Sequence, residues 1–243
     1  TFIGCNVDDD DSVTVLPMKE LTASLSQQVD VIRIADDATS YDLVINFSEA
    51  LPSYSTIEYS LDGGATTTSS ASSGDNTLVI PIAFDEDKFY RDVVLSDFIV
   101  VNAAARRFST SITGNSSLRI ARQGTIFAAP GSVEITVTWS DSSKDLDIFL
   151  IEGNQDLGGA LLEDSQGVTT TEQVVLSADE EGVFSLFMYE WNFDYPVDYE
   201  INYVFEDGQV LSFDSNITSD SFQFTMSKSN DGAQMICYIN KIE

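Results

Sequence analysis

The stretch VEITVTW, residues 133–139, alternates apolar and polar residues at every position. Alternation with a period of two places its four apolar side chains on one face of a strand and its three polar side chains on the other. In FQFTM the same rule predicts that Phe222, Phe224 and Met226 share one face. Four further runs show this alternation: residues 43–47, 78–82, 198–205 and 222–226.

Turn sequences that contain glycine separate these runs. DGG at residues 62–64, EDG at 206–208 and NDG at 230–232 each read as hairpin loops, because glycine adopts the positive φ that such loops require. Helical periodicity is scarce along the chain. Short alternating strands with frequent turns predict an all-β fold built from antiparallel β-sandwiches.

Near the middle of the chain, AAPG at residues 128–131 interrupts the alternating pattern. This interruption predicts two domains, an Ig-like β-sandwich over residues 13–122 and a second sandwich over residues 124–243. Each has a size typical of a β-sandwich. Residues 1–12 are expected to form a flexible, acidic N-terminal tether.

The amino-acid composition excludes several classes of function. The 243 residues include 11 Lys and Arg, 40 Asp and Glu and no histidine, for a formal net charge of −29. Without histidine there is no serine triad, cysteine–histidine dyad or histidine-based zinc site, and the negative charge opposes binding to nucleic acid. No nucleophile elbow or phosphate-binding glycine loop is present in the sequence. A non-enzymatic protein is therefore predicted, with an enzyme that uses a carboxylate pair as the minor alternative.

The first residues resemble a localisation signal. FIGC at residues 2–5, followed by the acidic run Asp8–Asp11, resembles the lipobox and export signal of surface lipoproteins of Bacteroidota-type bacteria. The resemblance implies that Cys5 is lipidated and that the protein is anchored in the outer membrane, facing the exterior. A run of like charges repels itself and stays solvated, so it suits a tether between lipid and domain.

The second half resembles a known module. The stretch at 133–139, KDLDIFL at 144–150, EGVFSLFM at 181–188 and DYEINY at 198–203 together resemble the bacterial pre-peptidase C-terminal domain. The resemblance covers roughly residues 131–213 and implies a compact, jelly-roll-like β-sandwich. Members of that family are accessory modules of secreted enzymes, and some bind calcium or a polymeric substrate.

Three aspartates are candidate metal ligands. Asp145 and Asp147 lie two residues apart, so on a strand they point the same way, and Asp141 is close by in the preceding loop. Ca²⁺ takes about 6–8 oxygen ligands of this kind. Calcium is therefore the one cofactor that the sequence suggests, and the alternative is that these carboxylates are solvated on an exposed sheet face.

The segment YEWNFDYPVDY, residues 189–199, is the densest in aromatic residues. Aromatic rings with neighbouring carboxylates and amides are typical of a sugar-binding cleft, and an aromatic residue at a loop tip is accessible to a ligand. The alternative is packing in the core or at a hinge. The candidate ligand-binding residues are Trp191, Asn192, Phe193, Asp194 and Tyr195.

These observations predict a non-enzymatic cell-surface lipoprotein that binds an extracellular polymer, with glycan favoured. The first domain is expected to act as a spacer and the second to bind the ligand. The alternative is a calcium-dependent structural or adhesion module that engages a protein partner in a surface complex. The expected partners are an extracellular glycan or a surface protein, together with the membrane through the lipid anchor, and no nucleic acid.

Overall fold

The computed structural model describes residues 18–85, 88–101 and 107–242. Every helix or strand assigned in these ranges is a β-strand, which confirms the predicted all-β class. In the same ranges, no helix has the length and apolar character needed to cross a membrane. The predicted lipidation site Cys5 and the tether, residues 1–12, lie outside the described residues.

The described chain divides into two compact units. Segments 33–38, 88–90 and 121–122 group with the second unit, although all three lie within the stretch 13–122 that the sequence assigned to the first domain. The first unit comprises residues 18–32, 39–85 and the described part of 91–120, and the second comprises residues 33–38, 88–90 and 121–242.

The first unit is a sandwich of two sheets. The sheets have the strand orders β6-β3-β1-β8 and β2-β9-β7-β4-β5. Phe47 of one sheet stacks on Phe98 of the other, with ring centroids 5.3 Å apart, so the buried faces of both sheets share a core. The strands of these sheets are β1 (Lys19–Leu25), β2 (Val31–Ile34), β3 (Ser40–Phe47), β4 (Ser55–Leu61), β5 (Thr67–Ala71), β6 (Thr77–Ala83), β7 (Tyr90–Val100), β8 (Phe108–Ile112) and β9 (Ser117–Arg122). The last two residues of β2 and of β9 and the first residue of β7 group with the second unit.

One pairing in this unit departs from the predicted antiparallel arrangement. β1 and β8 run parallel, from Lys19 opposite Phe108 to Ala23 opposite Ile112. Parallel neighbours need a crossover rather than a tight hairpin. β7, the strand that precedes β8 in the chain, belongs to the other sheet, and β8 lies at the edge of its own sheet beside β1.

The second unit is also a two-sheet sandwich. One sheet has the strand order β10-β19-β18-β15-β12-β13 and the other β14-β11-β16-β17. The strands are β10 (Thr125–Ala128), β11 (Val133–Trp139), β12 (Leu146–Glu152), β13 (Leu161–Ser165), β14 (Thr171–Leu176), β15 (Gly182–Glu190), β16 (Val197–Phe205), β17 (Val210–Ile217), β18 (Ser221–Asn230) and β19 (Met235–Lys241).

Strand alternation accounts for the core of the second unit. The apolar residues of β11 are buried, as the sequence predicted, and so are the alternate residues 197, 199, 201, 203 and 205 of its neighbour β16. Side chains from the six-stranded sheet complete the same cluster. Tyr203 of β16 and Phe224 of β18 meet across the interface with ring centroids 5.9 Å apart, in a T-shaped arrangement that aromatic pairs prefer.

The prediction that Phe222 shares a face with Phe224 and Met226 is wrong. The pairing of β15 with β18 contains a β-bulge, because Leu186 lies opposite Phe224 whereas the next residue, Phe187, lies opposite Phe222. The extra residue shifts the alternation by one position. Phe224 therefore points into the core, whereas Phe222 turns to the outer face of the sheet and contacts Phe187 there.

The bulge can be tested with two matched substitutions. We expect F224A to lower the free energy of unfolding by about 3–5 kcal/mol, as for a buried phenylalanine, and F222A to lower it clearly less. Urea denaturation monitored by tryptophan fluorescence measures both. Equal losses would show that the two rings share the core and that the bulge is absent.

Candidate functional site

The two outer faces of the second sandwich differ in chemistry. The outer face of the sheet β14-β11-β16-β17 is polar, with Glu134, Thr136, Glu200 and Asn202 among its side chains. The outer face of the other sheet is aromatic. Since a solvated sheet face normally carries polar residues, the aromatic face is the one that indicates a ligand.

Five aromatic rings form a continuous row on this outer face, and we call this row the aromatic strip. Phe222 lies 5.3 Å from Phe187, Phe187 lies 6.4 Å from Phe149, and Phe149 stacks on Tyr189 at 5.6 Å, measured between ring centroids. Tyr189 lies 6.1 Å from Trp191. The spacing falls within the range of direct aromatic contact, so the strip presents one connected apolar surface.

The register of β12 and β15 builds the centre of the strip. Phe149 lies directly opposite Phe187 in this antiparallel pair, and Asp147 lies opposite Tyr189. Residues opposite each other point to the same face. Their neighbours along each strand, such as Ile148 and Met188, point inward and are buried.

The strip ends at a loop that exposes two large aromatic residues. Trp191 is 58% exposed and Phe193 is 70% exposed. Phe193 also has a φ of +56°. Left-handed backbone at a residue other than glycine costs roughly 1–2 kcal/mol, so the chain holds this exposed ring in a conformation that favours glycine or asparagine.

Glu190 fixes the shape of this loop. Its side chain is fully buried at the end of β15, and its carboxylate accepts hydrogen bonds from the backbone N–H of Asp145 at 3.3 Å and of Asp194 at 2.5 Å. The Asn192 amide donates to it as well, at 3.5 Å. Lys144 Nζ contacts the Asp194 carboxylate and donates to its backbone carbonyl, each at 2.6 Å. The predicted ligand residues Asn192 and Asp194 are thus both engaged in holding the loop.

Tyr195, the last predicted ligand residue, holds the loop through its hydroxyl group. Its hydroxyl accepts a hydrogen bond from the backbone N–H of Glu190 at 2.9 Å and donates one to Asp220. The side chain is half-buried. Burial, reinforced by the hydrogen bond to Asp220, raises the pKa of Tyr195 to about 12.

The three predicted metal ligands have separate surroundings. Asp141 caps its own turn, because Oδ1 accepts from the Ser143 N–H at 2.9 Å and the Ser143 hydroxyl at 2.7 Å, and these bonds lower its pKa. Asp145 Oδ1 is buried, with no hydrogen-bond partner among the described residues. Within the described ranges, no group of three or more acidic or cysteine side chains is arranged to hold a metal. Within these ranges the structure thus does not bring Asp141, Asp145 and Asp147 together as one group of ligands.

Asp147 points to the aromatic face but is covered. It is only 4% exposed, and the Tyr189 hydroxyl donates a hydrogen bond to it. Burial raises the pKa of Asp147 above its usual value, and the nearby carboxylates of Asp145, Glu172 and Asp164 act in the same direction.

Of the five residues of the strip, sequence reasoning named only Trp191 as a ligand residue. Tyr189 belongs to the aromatic segment that the sequence singled out, but Phe149, Phe187 and Phe222 do not. Alternation offers a signal for Phe149 and Phe187, because along their own strands they alternate with residues that point into the core. Phe222 carries no such signal, because the bulge reverses its face.

Comparisons with known proteins give remote structural similarities only. No protein family model matches the chain, and no curated protein matches it. The chain is similar to the apo form of the Calx CBD1 domain, with 10% identity and a TM-score of 0.31 over 42% of this chain and 97% of that one. It is similar to CBD12 from CALX1.2, with 12% identity and a TM-score of 0.32 over 76% and 83% of the two chains.

A third similarity is to a tetra-tandem repeat in the extending region of a large adhesion protein. The identity is 11% and the TM-score 0.25, over 92% of this chain and 63% of that one. At these values no function is transferred from any of the three structures.

The strained loop residue gives a prediction for stability. We expect F193N to raise the free energy of unfolding by about 1 kcal/mol, because asparagine tolerates a positive φ better than phenylalanine does. W191N, at an exposed position without positive φ, is the control and should change it by less than about 0.5 kcal/mol. Chemical denaturation measures both, and a loss of more than about 1 kcal/mol in F193N would show that the ring supports the fold.

Asp147 gives a prediction for pH dependence. Its pKa is higher in the folded state than in the unfolded state, so the charged form costs stability at neutral pH. That cost disappears as the pH falls through the raised pKa towards the unfolded value. We therefore expect D147N to be more stable than the native chain at neutral pH and the difference to shrink on acidification, as measured by urea unfolding at several pH values. A difference that stays constant would contradict the raised pKa.

Proposed function

We propose that the second unit binds an extracellular glycan on the aromatic strip, with Trp191 and Phe193 as exposed platforms. The observation that supports this most directly is the unbroken row of rings from Phe222 to Trp191 on an outer sheet face. Flat aromatic faces stack on the C–H faces of sugar rings. Neighbouring carboxylates and amides then form hydrogen bonds with the sugar hydroxyls.

The loop that carries the platforms is organised before any ligand arrives. The buried Glu190 carboxylate and the Lys144–Asp194 pair hold its backbone in one conformation. A site that is already ordered loses less conformational entropy on binding. The exposed Phe193 ring, kept at an unfavourable φ, is consistent with a residue retained for contact with a ligand rather than for stability.

The remaining parts of the function are also proposals. We infer a non-enzymatic surface lipoprotein, anchored through Cys5 at the outer membrane, in which the first unit acts as a spacer. The absence of histidine from the sequence and its net charge of −29 support a binding role that does not involve nucleic acid. The alternative is a calcium-dependent structural or adhesion module with a protein partner, and the buried, unpartnered Oδ1 atom of Asp145 in the described structure is the observation that favours it.

A glycan array with the 243-residue chain, followed by calorimetry on the tightest hit, tests the proposal. We expect W191A to lower the affinity for that glycan by about tenfold or more, which corresponds to about 1.4 kcal/mol. F193N should weaken binding as well while leaving the fold intact.

The matched control is Y54A, which removes an exposed aromatic residue from the first unit. It should bind the glycan as tightly as the native chain does. Binding that is unchanged in W191A and F193N, or a chain that binds no glycan, would contradict the proposed function.

A further inference from the structure

A groove adjoins the end of the aromatic strip that lies farthest along the row from Trp191. Its volume is about 510 Å³. Phe187 and Phe222 of the strip form its apolar part, together with Ile242 and with Leu157, which is 67% exposed in the loop between β12 and β13. Polar side chains complete the lining: Gln155, Asn216, Thr218, Asp220, Ser221 and Gln223.

The groove and the Trp191 loop belong to one connected surface. Phe187 and Phe222 are at once groove residues and members of the row of rings that leads to Trp191. The hydrogen bond from the Tyr195 hydroxyl to Asp220 joins the loop to the groove lining as well. A ligand long enough to reach from one end of the strip to the other therefore contacts both.

The polar lining indicates the kind of ligand. Five of its six polar side chains are amides or hydroxyls, which both donate and accept hydrogen bonds. The hydroxyl groups of a sugar have the same dual character. Among the described residues that line the groove, Asp220 alone is charged. Asp164 lies beside Phe149 on the strip, and the whole chain carries a net charge of −29. An acidic polymer is repelled by this surface.

We propose that the ligand is a neutral polysaccharide that spans the Trp191 platform and the groove as two subsites of one site. This inference rests on the proposed function and adds the ligand's charge and its extended binding. Once one part of a polysaccharide is bound at the first subsite, its contact with the second subsite is effectively intramolecular. The affinity therefore rises with the length of the polysaccharide until both subsites are filled.

Calorimetry with neutral oligosaccharides, from disaccharide to octasaccharide in the gluco-, xylo- and manno- series, tests the inference. Oligogalacturonides of the same lengths are the acidic comparison. We expect the affinity for one neutral series to rise by about tenfold or more with length in the native chain, and the acidic series to bind more weakly at every length.

The variant L157A should lose the gain with length while keeping the affinity for the shortest ligand. L161A removes another exposed leucine, 54% exposed in β13, and is the control, expected to match the native chain. W191A should weaken binding at every length. If W191A weakens binding but L157A keeps the full gain with length, or if the acidic series binds as tightly as the neutral one, this inference is wrong and the proposed function stands. If no oligosaccharide binds, both are wrong.

Discussion

The structure depends on the packing of two sheets against a shared core in the second unit. Each strand can offer only one face to that core, so every second side chain of β12 and β15 must point outward. Ile148, Leu150 and Met188 fill the interior, and the intervening Phe149, Phe187 and Tyr189 form the centre of an aromatic surface. The core thus determines where the candidate site lies, although no residue of the site belongs to the core.

A single irregularity extends this surface. The β-bulge in the pairing of β15 with β18 inserts one residue, so the alternation of β18 changes face between Phe224 and Phe222. β-Bulges commonly redirect a side chain close to a functional site. Here the bulge turns Phe222, which regular alternation would have buried, to the outer face. Phe222 becomes the fifth ring of the strip and lines part of the groove.

Much of the fold could be predicted from alternation and turn residues alone. The burial of the 133–139 and 198–205 faces follows from a period of two, and the exposure of Trp191 and Phe193 agrees with their expected place in a loop. The bulge could not be predicted, because it arises from the pairing of two distant strands and leaves no local signature. The surroundings of Asp147 could not be predicted either, because its burial depends on Tyr189, which the register places opposite it.

The central claim is that Trp191 lies where a glycan binds, and tryptophan fluorescence tests this directly. The chain has two tryptophans, of which Trp191 is exposed whereas Trp139 is buried in the core of the second unit. On titration with the glycan that the chain binds, the account predicts that Trp191 emission shifts to the blue and becomes protected from acrylamide, and that W191F shows neither change. Binding that leaves Trp191 fully accessible to acrylamide would contradict the account.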